Sequence, residues 1–121
     1  MSQSQNHHAI NYVEFAATDV AAAKKFYSAV FGWSFVDYGP EYASFDPSAA
    51  GVAGGFYKTD PHEEPPKTAP LVVIYSADLS GTEAAIKAAG GTVVVPTFEF
   101  PGGRRFHFSD GVGNVLAVWS E

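Results

Sequence analysis

The strongest constraint on this 121-residue chain is that its second half repeats the pattern of its first. In the first half, "INYVEFA" alternates apolar and polar positions as a half-buried strand does. "DVAAAKKFYSAVFG" then changes period, placing Val20, Ala23, Tyr27, Val30 and Phe31 at helical spacing between a cap at Thr18 or Asp19 and a stop at Gly32. Three strand-like runs follow, "WSFVDY", "YASFD" and "VAGGFYK". After residue 70 the series recurs: "PLVVIYSA" as a strand, "DLSGTEAAIKAAGG" as a helix with Ser80 and Glu83 in capping-box spacing, then "TVVVPTFEF", "RRFHFSD" and "NVLAVW". Asp19 and Asp78 are 59 positions apart, as are Gly32 and Gly91, whereas Asp46 and Asp110 are 64 apart. The repeat therefore runs without insertion through strand and helix and gains a few residues later in the second copy.

Two βαβββ modules are the simplest account: module one over about residues 9–58, a linker at 59–69 and module two over about 70–120, in one domain. The linker "TDPHEEPPKTAP" mixes prolines and charges without periodicity, so His62, Glu63 and Glu64 read as a solvated loop. In each module the helix must cover one face of its sheet, because neither element buries its apolar side alone. Val13 and Phe15 take the helix side, and Tyr12 and Glu14 the other. The expected fold class is α+β: a cup-shaped mixed sheet with helices on the outside and a cleft for a small ligand within.

Composition narrows the partners. A formal charge of -6 with only seven Lys and Arg argues against nucleic acid and anionic membranes, which are gripped by clustered cations. No apolar stretch approaches a membrane span, and the opening "MSQSQNHH" lacks a signal peptide's apolar segment. The absence of cysteine excludes disulfides and thiolate metal sites, and a cytoplasmic protein is the expectation. His7 and His8 carry no assigned role.

The repeat, the run Phe26, Tyr27, Phe31, Gly32 and Trp33, the pair Gly54 and Gly55, and the closing "SDGVGNVLAVW" around Asp110, Gly113 and Asn114 resemble the vicinal oxygen chelate superfamily. That group includes glyoxalase I, extradiol dioxygenases, and fosfomycin and bleomycin resistance proteins. The resemblance implies a homodimer and, in its metalloenzymes, a divalent ion held by His and Glu on the first and last strands of each module. Carried onto this chain, those positions fall on Tyr12, on Val72 or Leu71, on Ala117, and near Gly54, Gly55 or Phe56. A phenol with an ordinary pKa near 10 is a poor ligand at neutral pH, and the others offer no donor. No cofactor is expected, and no metal ligands are assigned. A rearranged metal site would have to use Glu14 with His107 and Glu99.

The remaining candidates are polar or aromatic residues of the cleft. Glu14 is the strongest, as a base or as an anchor for a ligand's cation or hydroxyl, against the alternative of a carboxylate tied to a neighbour. His107 alternates with Phe106 and Phe108, so it faces the cleft if that pair packs under the helices, and it could then pair with Glu14 in acid–base work. Tyr12, Trp33, Phe56 and Trp119 complete the expected ligand-binding set, with core packing as the competing role of the aromatics. Of Arg104 and Arg105, at most one can reach the cleft, since neighbours on a strand point to opposite faces. There is no nucleophile elbow, P-loop or dinucleotide fingerprint. The functional reading is metal-free binding of a small molecule. The alternative is an isomerase or lyase acting on a small oxygenated substrate, with Glu14 as base and with or without a divalent metal.

Overall fold

The computed structural model describes residues 7–60 and 69–121. His62, Glu63 and Glu64 lie outside the described residues. Module one comprises β1 (Tyr12–Ala17), α1 (Val20–Phe31), β2 (Phe35–Asp37), β3 (Tyr42–Phe45), a one-turn α2 (Pro47–Ala50) and β4 (Ala53–Lys58). Module two comprises β5 (Val73–Tyr75), α3 (Leu79–Ala88), β6 (Thr92–Phe100), β7 (Gly103–Ser109) and β8 (Val115–Ser120). Each module forms a four-stranded mixed sheet, in the orders β1-β4-β3-β2 and β5-β8-β7-β6. The first and last strands of each module pair in parallel, and the others are antiparallel. The expected βαβββ repeat is therefore present twice. The turn α2 is an addition that four residues were too few to announce; Pro47 begins it and the Asp46 side chain caps it.

Asp19 and Asp78 have the same task, which explains their matched spacing. Each is the N-cap of its helix, accepting from Ala22 N at 3.0 Å and from Gly81 N at 3.1 Å. The box expected from Ser80 and Glu83 is thus replaced by the Asp78 cap, and Glu83 instead pairs with Lys87 at 2.9 Å, one turn on. The matched glycines do not share a role. Gly32 ends α1 in the left-handed region, whereas in module two that conformation belongs to Gly90. The glycine correspondence slips by one residue because α3 stops earlier.

Pro96 interrupts β6, whose register with β7 shifts twice between Val93 and Phe98. A proline without an N–H is tolerated there because β6 is the end strand of its sheet.

One core joins the modules. Tyr27 of α1 packs its ring 5.0 Å from Phe56 of β4, while the adjacent Phe26 stacks 5.9 Å from Phe108 of β7. The closing "SDGVGN" segment is the polar part of the same junction. Buried Asp110 accepts the Tyr27 hydroxyl at 2.9 Å on Oδ2 and the amides of Val112 and Asn114 on Oδ1. Asn114 Nδ2 donates to the same carboxylate and to the Ala16 carbonyl, and Thr18 N donates to Val112 O, so the β7–β8 turn is fastened to the end of β1. Burial and the Asp110 carboxylate push the Tyr27 phenol far above its ordinary range, so it remains a donor.

Candidate functional site

The alternation of β1 divides its side chains as the sequence implied. Val13 and Phe15 turn toward the core side, and Tyr12 and Glu14 stand on the open face of the first sheet, Tyr12 being 47% exposed. Tyr42 of β3 joins them there. Its hydroxyl donates to Glu14 Oε2 at 2.8 Å and lies 2.5 Å from the Tyr12 hydroxyl. A phenol has one proton to give, so with the Tyr42 proton on Glu14 the Tyr12 hydroxyl is the donor to Tyr42. The result is a directed chain, Tyr12 to Tyr42 to the Glu14 carboxylate. Desolvation first, then the bonds to Tyr12 and Glu14, push the Tyr42 phenol well above its ordinary range, which keeps this direction in place at neutral pH.

Tyr42 and Glu14 are on strands that are not neighbours: β4 runs between them. The bond is possible because the residue beneath it is Gly55, where an added Cβ would stand 2.5 Å from the Tyr42 hydroxyl. The preceding Gly54 serves the other face, where an added Cβ would meet the Val13 carbonyl at 2.1 Å and the Phe45 ring at 2.4 Å. The "GG" pair thus admits one aromatic ring of β3 on each side of β4. Tyr42 had no signal in the sequence: nothing in "YASFD" marks its tyrosine as partner of a carboxylate 28 residues earlier.

A groove of about 350 Å³ opens on the other, core side of this sheet, between β1 and the strand β5 that ends the second sheet. Val13, Phe15, Trp33 and Phe45 line it from module one, and Val72 and Ile74 from module two. Trp33 is nearly buried and belongs to the core, and it reaches a ligand only through this groove. Phe56 is wholly buried under α1 and away from the open face, because its parity on β4 is opposite to that of Gly55.

His107 and Trp119 stand on the open face of the second sheet, with Phe106 and Phe108 buried behind them. Glu14 and His107 are therefore in different sheets and have different neighbours: Glu14 bonds to Tyr42, and His107 lies 5.9 Å from the Phe98 ring. Burial, and after it the Arg105 charge, hold the His107 imidazole below its ordinary value. Arg105 shares this face and Arg104 the opposite one.

The residues present do not suit a divalent metal of the superfamily's type. The inherited positions on the open faces hold a phenol engaged with Tyr42, the Leu71 side chain, the hydrogen of Gly55 and the methyl of Ala117. The rearranged set is not assembled either, since Glu99 registers with Arg104 and so lies on the face away from His107. Among the described residues no three His, Asp or Glu side chains are grouped to hold an ion, and no helix is long and apolar enough to cross a membrane.

Known proteins share this architecture. A glyoxalase/bleomycin resistance protein/dioxygenase family enzyme from Burkholderia phytofirmans PsJN superposes with a TM-score of 0.75 at 18% identity, covering 91% of this chain and 96% of that one. A fosfomycin resistance protein, FosX, from Listeria monocytogenes, crystallised with Mn(II) and 1S,2S-dihydroxypropylphosphonic acid, superposes with a TM-score of 0.75 at 14% identity, covering 93% and 92%. Structural neighbours of this fold thus bind small molecules. In sequence, the protein named "Putative glyoxylase CFP32" in Mycobacterium tuberculosis (strain CDC 1551 / Oshkosh), and its Mycobacterium bovis counterpart, are 29% identical over 117 residues. That match takes in 90% of this chain and 44% of theirs, so the chain spans less than half the length of these relatives. Residues 9–118 match the family model of the Glyoxalase/Bleomycin resistance protein/Dioxygenase superfamily, and the chain belongs to that superfamily.

Proposed function

We propose that this protein binds a small organic ligand without a metal, on the open face of the first sheet, with the Tyr12–Tyr42–Glu14 chain as its polar anchor. The observation that carries this reading is the direction of the chain. Every proton in it points toward Glu14, so the Tyr12 oxygen at the open end keeps its lone pairs for a donor on the ligand, a hydroxyl or a protonated amine. The net charge of -6 favours the amine. The donor set argued above supports the absence of a resident metal.

The same carboxylate supports a second reading, an isomerase or lyase in which Glu14 is the base for a small oxygenated substrate and Tyr42 its proton conduit. The glyoxylase name of the mycobacterial relatives belongs to this second reading. The homodimer and the cytoplasmic location expected from sequence remain parts of the proposal. Exposed Tyr12, Tyr57, Val73 and Tyr75 on the open faces support a partner copy, which light scattering would detect.

The experiment is a thermal-shift screen of amines, polyols and divalent ions on metal-analysed protein, followed by Glu14→Gln and Tyr42→Phe on each hit. Metal-free binding predicts stabilisation by an organic ligand, none specific to an ion, and loss of affinity in both variants. Stoichiometric metal in the purified protein would overturn the metal-free reading, and turnover of a hit that Glu14→Gln abolishes would favour the enzyme.

A further inference from the structure

The open face of the second sheet carries the opposite polarity. Arg105 and His107 stand two residues apart on β7 and so side by side on that face. The Arg105 guanidinium carbon lies 5.2 Å from the centre of the Phe98 ring and 5.5 Å from that of Phe100. Trp119, opposite Arg105 on β8, sets its ring 6.2 Å from Phe100 and 5.1 Å from Tyr75. Two rings therefore lie over the cation, and Trp119 and Tyr75 extend the aromatic surface from them.

That cation lacks what a half-buried charge requires. Arg105 has no carboxylate within ion-pair distance among the described residues, although the chain is acidic; the ion pairs there are Lys24 with Asp37 and Lys87 with Glu83. Glu121, at the same edge, accepts a hydrogen bond from Tyr75 at 2.7 Å. Arg105 Nε and His107 Nε2 are both buried without a hydrogen-bond partner among the described residues, an arrangement that costs free energy at each atom. Phe98 and Phe100 lie over the guanidinium and Phe98 beside the imidazole.

We propose that Arg105, assisted by His107, is a second ligand subsite, taking a carboxylate carried on a flat apolar body. A carboxylate matches the planar guanidinium fork and supplies the missing acceptor. A flat body matches the frame of Phe98, Phe100 and Trp119. This subsite lies on the other sheet from Glu14 and does not depend on the reading given for that residue.

Benzoate is the probe. In calorimetric and NMR titrations of the intact protein it should bind saturably, shifting the Arg105 Nε–H and Trp119 indole signals. Arg105→Gln should weaken it about tenfold or more, the loss expected when a charge-assisted hydrogen bond disappears. Arg105→Lys, which keeps the charge and the fold while losing the fork, should also weaken it. Arg104→Gln, an equal change of charge on the opposite face, should leave affinity within about twofold. Absence of saturable binding, equal loss in Arg104→Gln and Arg105→Gln, or inorganic phosphate binding as tightly as benzoate would each overturn the proposal.

Discussion

The Tyr42 hydroxyl passes over the backbone of Gly55 so closely that a methyl group there would stand 2.5 Å from it. One hydrogen atom thus decides whether β3 can reach across β4 to the carboxylate on β1. Gly55→Ala should displace Tyr42, release Glu14 and cost about 1–3 kcal/mol, the usual range for overpacking, since the Ala43 carbonyl 2.7 Å away crowds the same methyl. Urea midpoints give the stability and the spectrum of a bound hit gives the site. Retention of full ligand affinity in Gly55→Ala would separate Tyr42 from binding.

Gly54→Ala should be the worse substitution. Its methyl meets the Val13 carbonyl at 2.1 Å, and a backbone atom in a paired strand cannot rotate away as a tyrosine can. The expected result is failure to reach the native near-ultraviolet circular dichroism at room temperature. A variant as stable as Gly55→Ala would show that β1 and β4 can part without loss of the core.

Asp110 joins α1 to the β7–β8 turn through four donors, and removal of its carboxylate leaves the buried Tyr27 hydroxyl and two amides without acceptors. Asp110→Ala should therefore cost about 3–4 kcal/mol, as several modest unmet hydrogen bonds accumulate. Tyr27→Phe removes one donor alone and should cost about 1 kcal/mol. If denaturant titrations give the two variants equal losses, the amides are being satisfied by other groups.

Much of this fold was legible because it rests on local rules. Alternation in "INYVEFA" placed Tyr12 and Glu14 on one face, and Asp19 and Asp78 marked two helix starts that the structure caps in the same way. Other features were not legible, because they depend on which strands lie side by side. Tyr42 meets Glu14 only across β4, and Phe56, offered by the sequence as an aromatic of the cleft with core packing as its competing role, is buried by α1. The exchange of Ser80 for Asp78 at the cap has a local cause: the Asp78 carboxylate accepts the Gly81 amide and the Ser80 hydroxyl as well, so the helix starts two residues earlier than the capping box implied. Those two caps share no partner, so Asp19→Ala and Asp78→Ala should each cost about 1 kcal/mol and add in the double variant. Thermal or urea unfolding checks the sum, and marked non-additivity would mean that the helices are coupled through their contact.

His107 links the second sheet to pH. Burial and then Arg105 hold its folded pKa below its ordinary value of 6.5, so the neutral imidazole is favoured in the native state. As pH falls through about 6.5 the unfolded chain takes up a proton that the folded chain resists. The unfolded state then binds more protons, and stability must fall on the acid side, the loss levelling only below the folded pKa. The charged group on this face of β7 is Arg105, while its neighbours at Val95, Phe98 and Ala117 are apolar, so the shift belongs to this pair and to burial. His107→Gln should remove that part of the slope, seen as a difference from wild type in urea midpoints between about pH 7.5 and 5, with the carboxylates common to both cancelling. Arg105→Gln should raise the imidazole pKa followed by NMR toward its ordinary value. Parallel wild-type and His107→Gln profiles would show that the ring titrates as freely in the folded protein as in the unfolded chain.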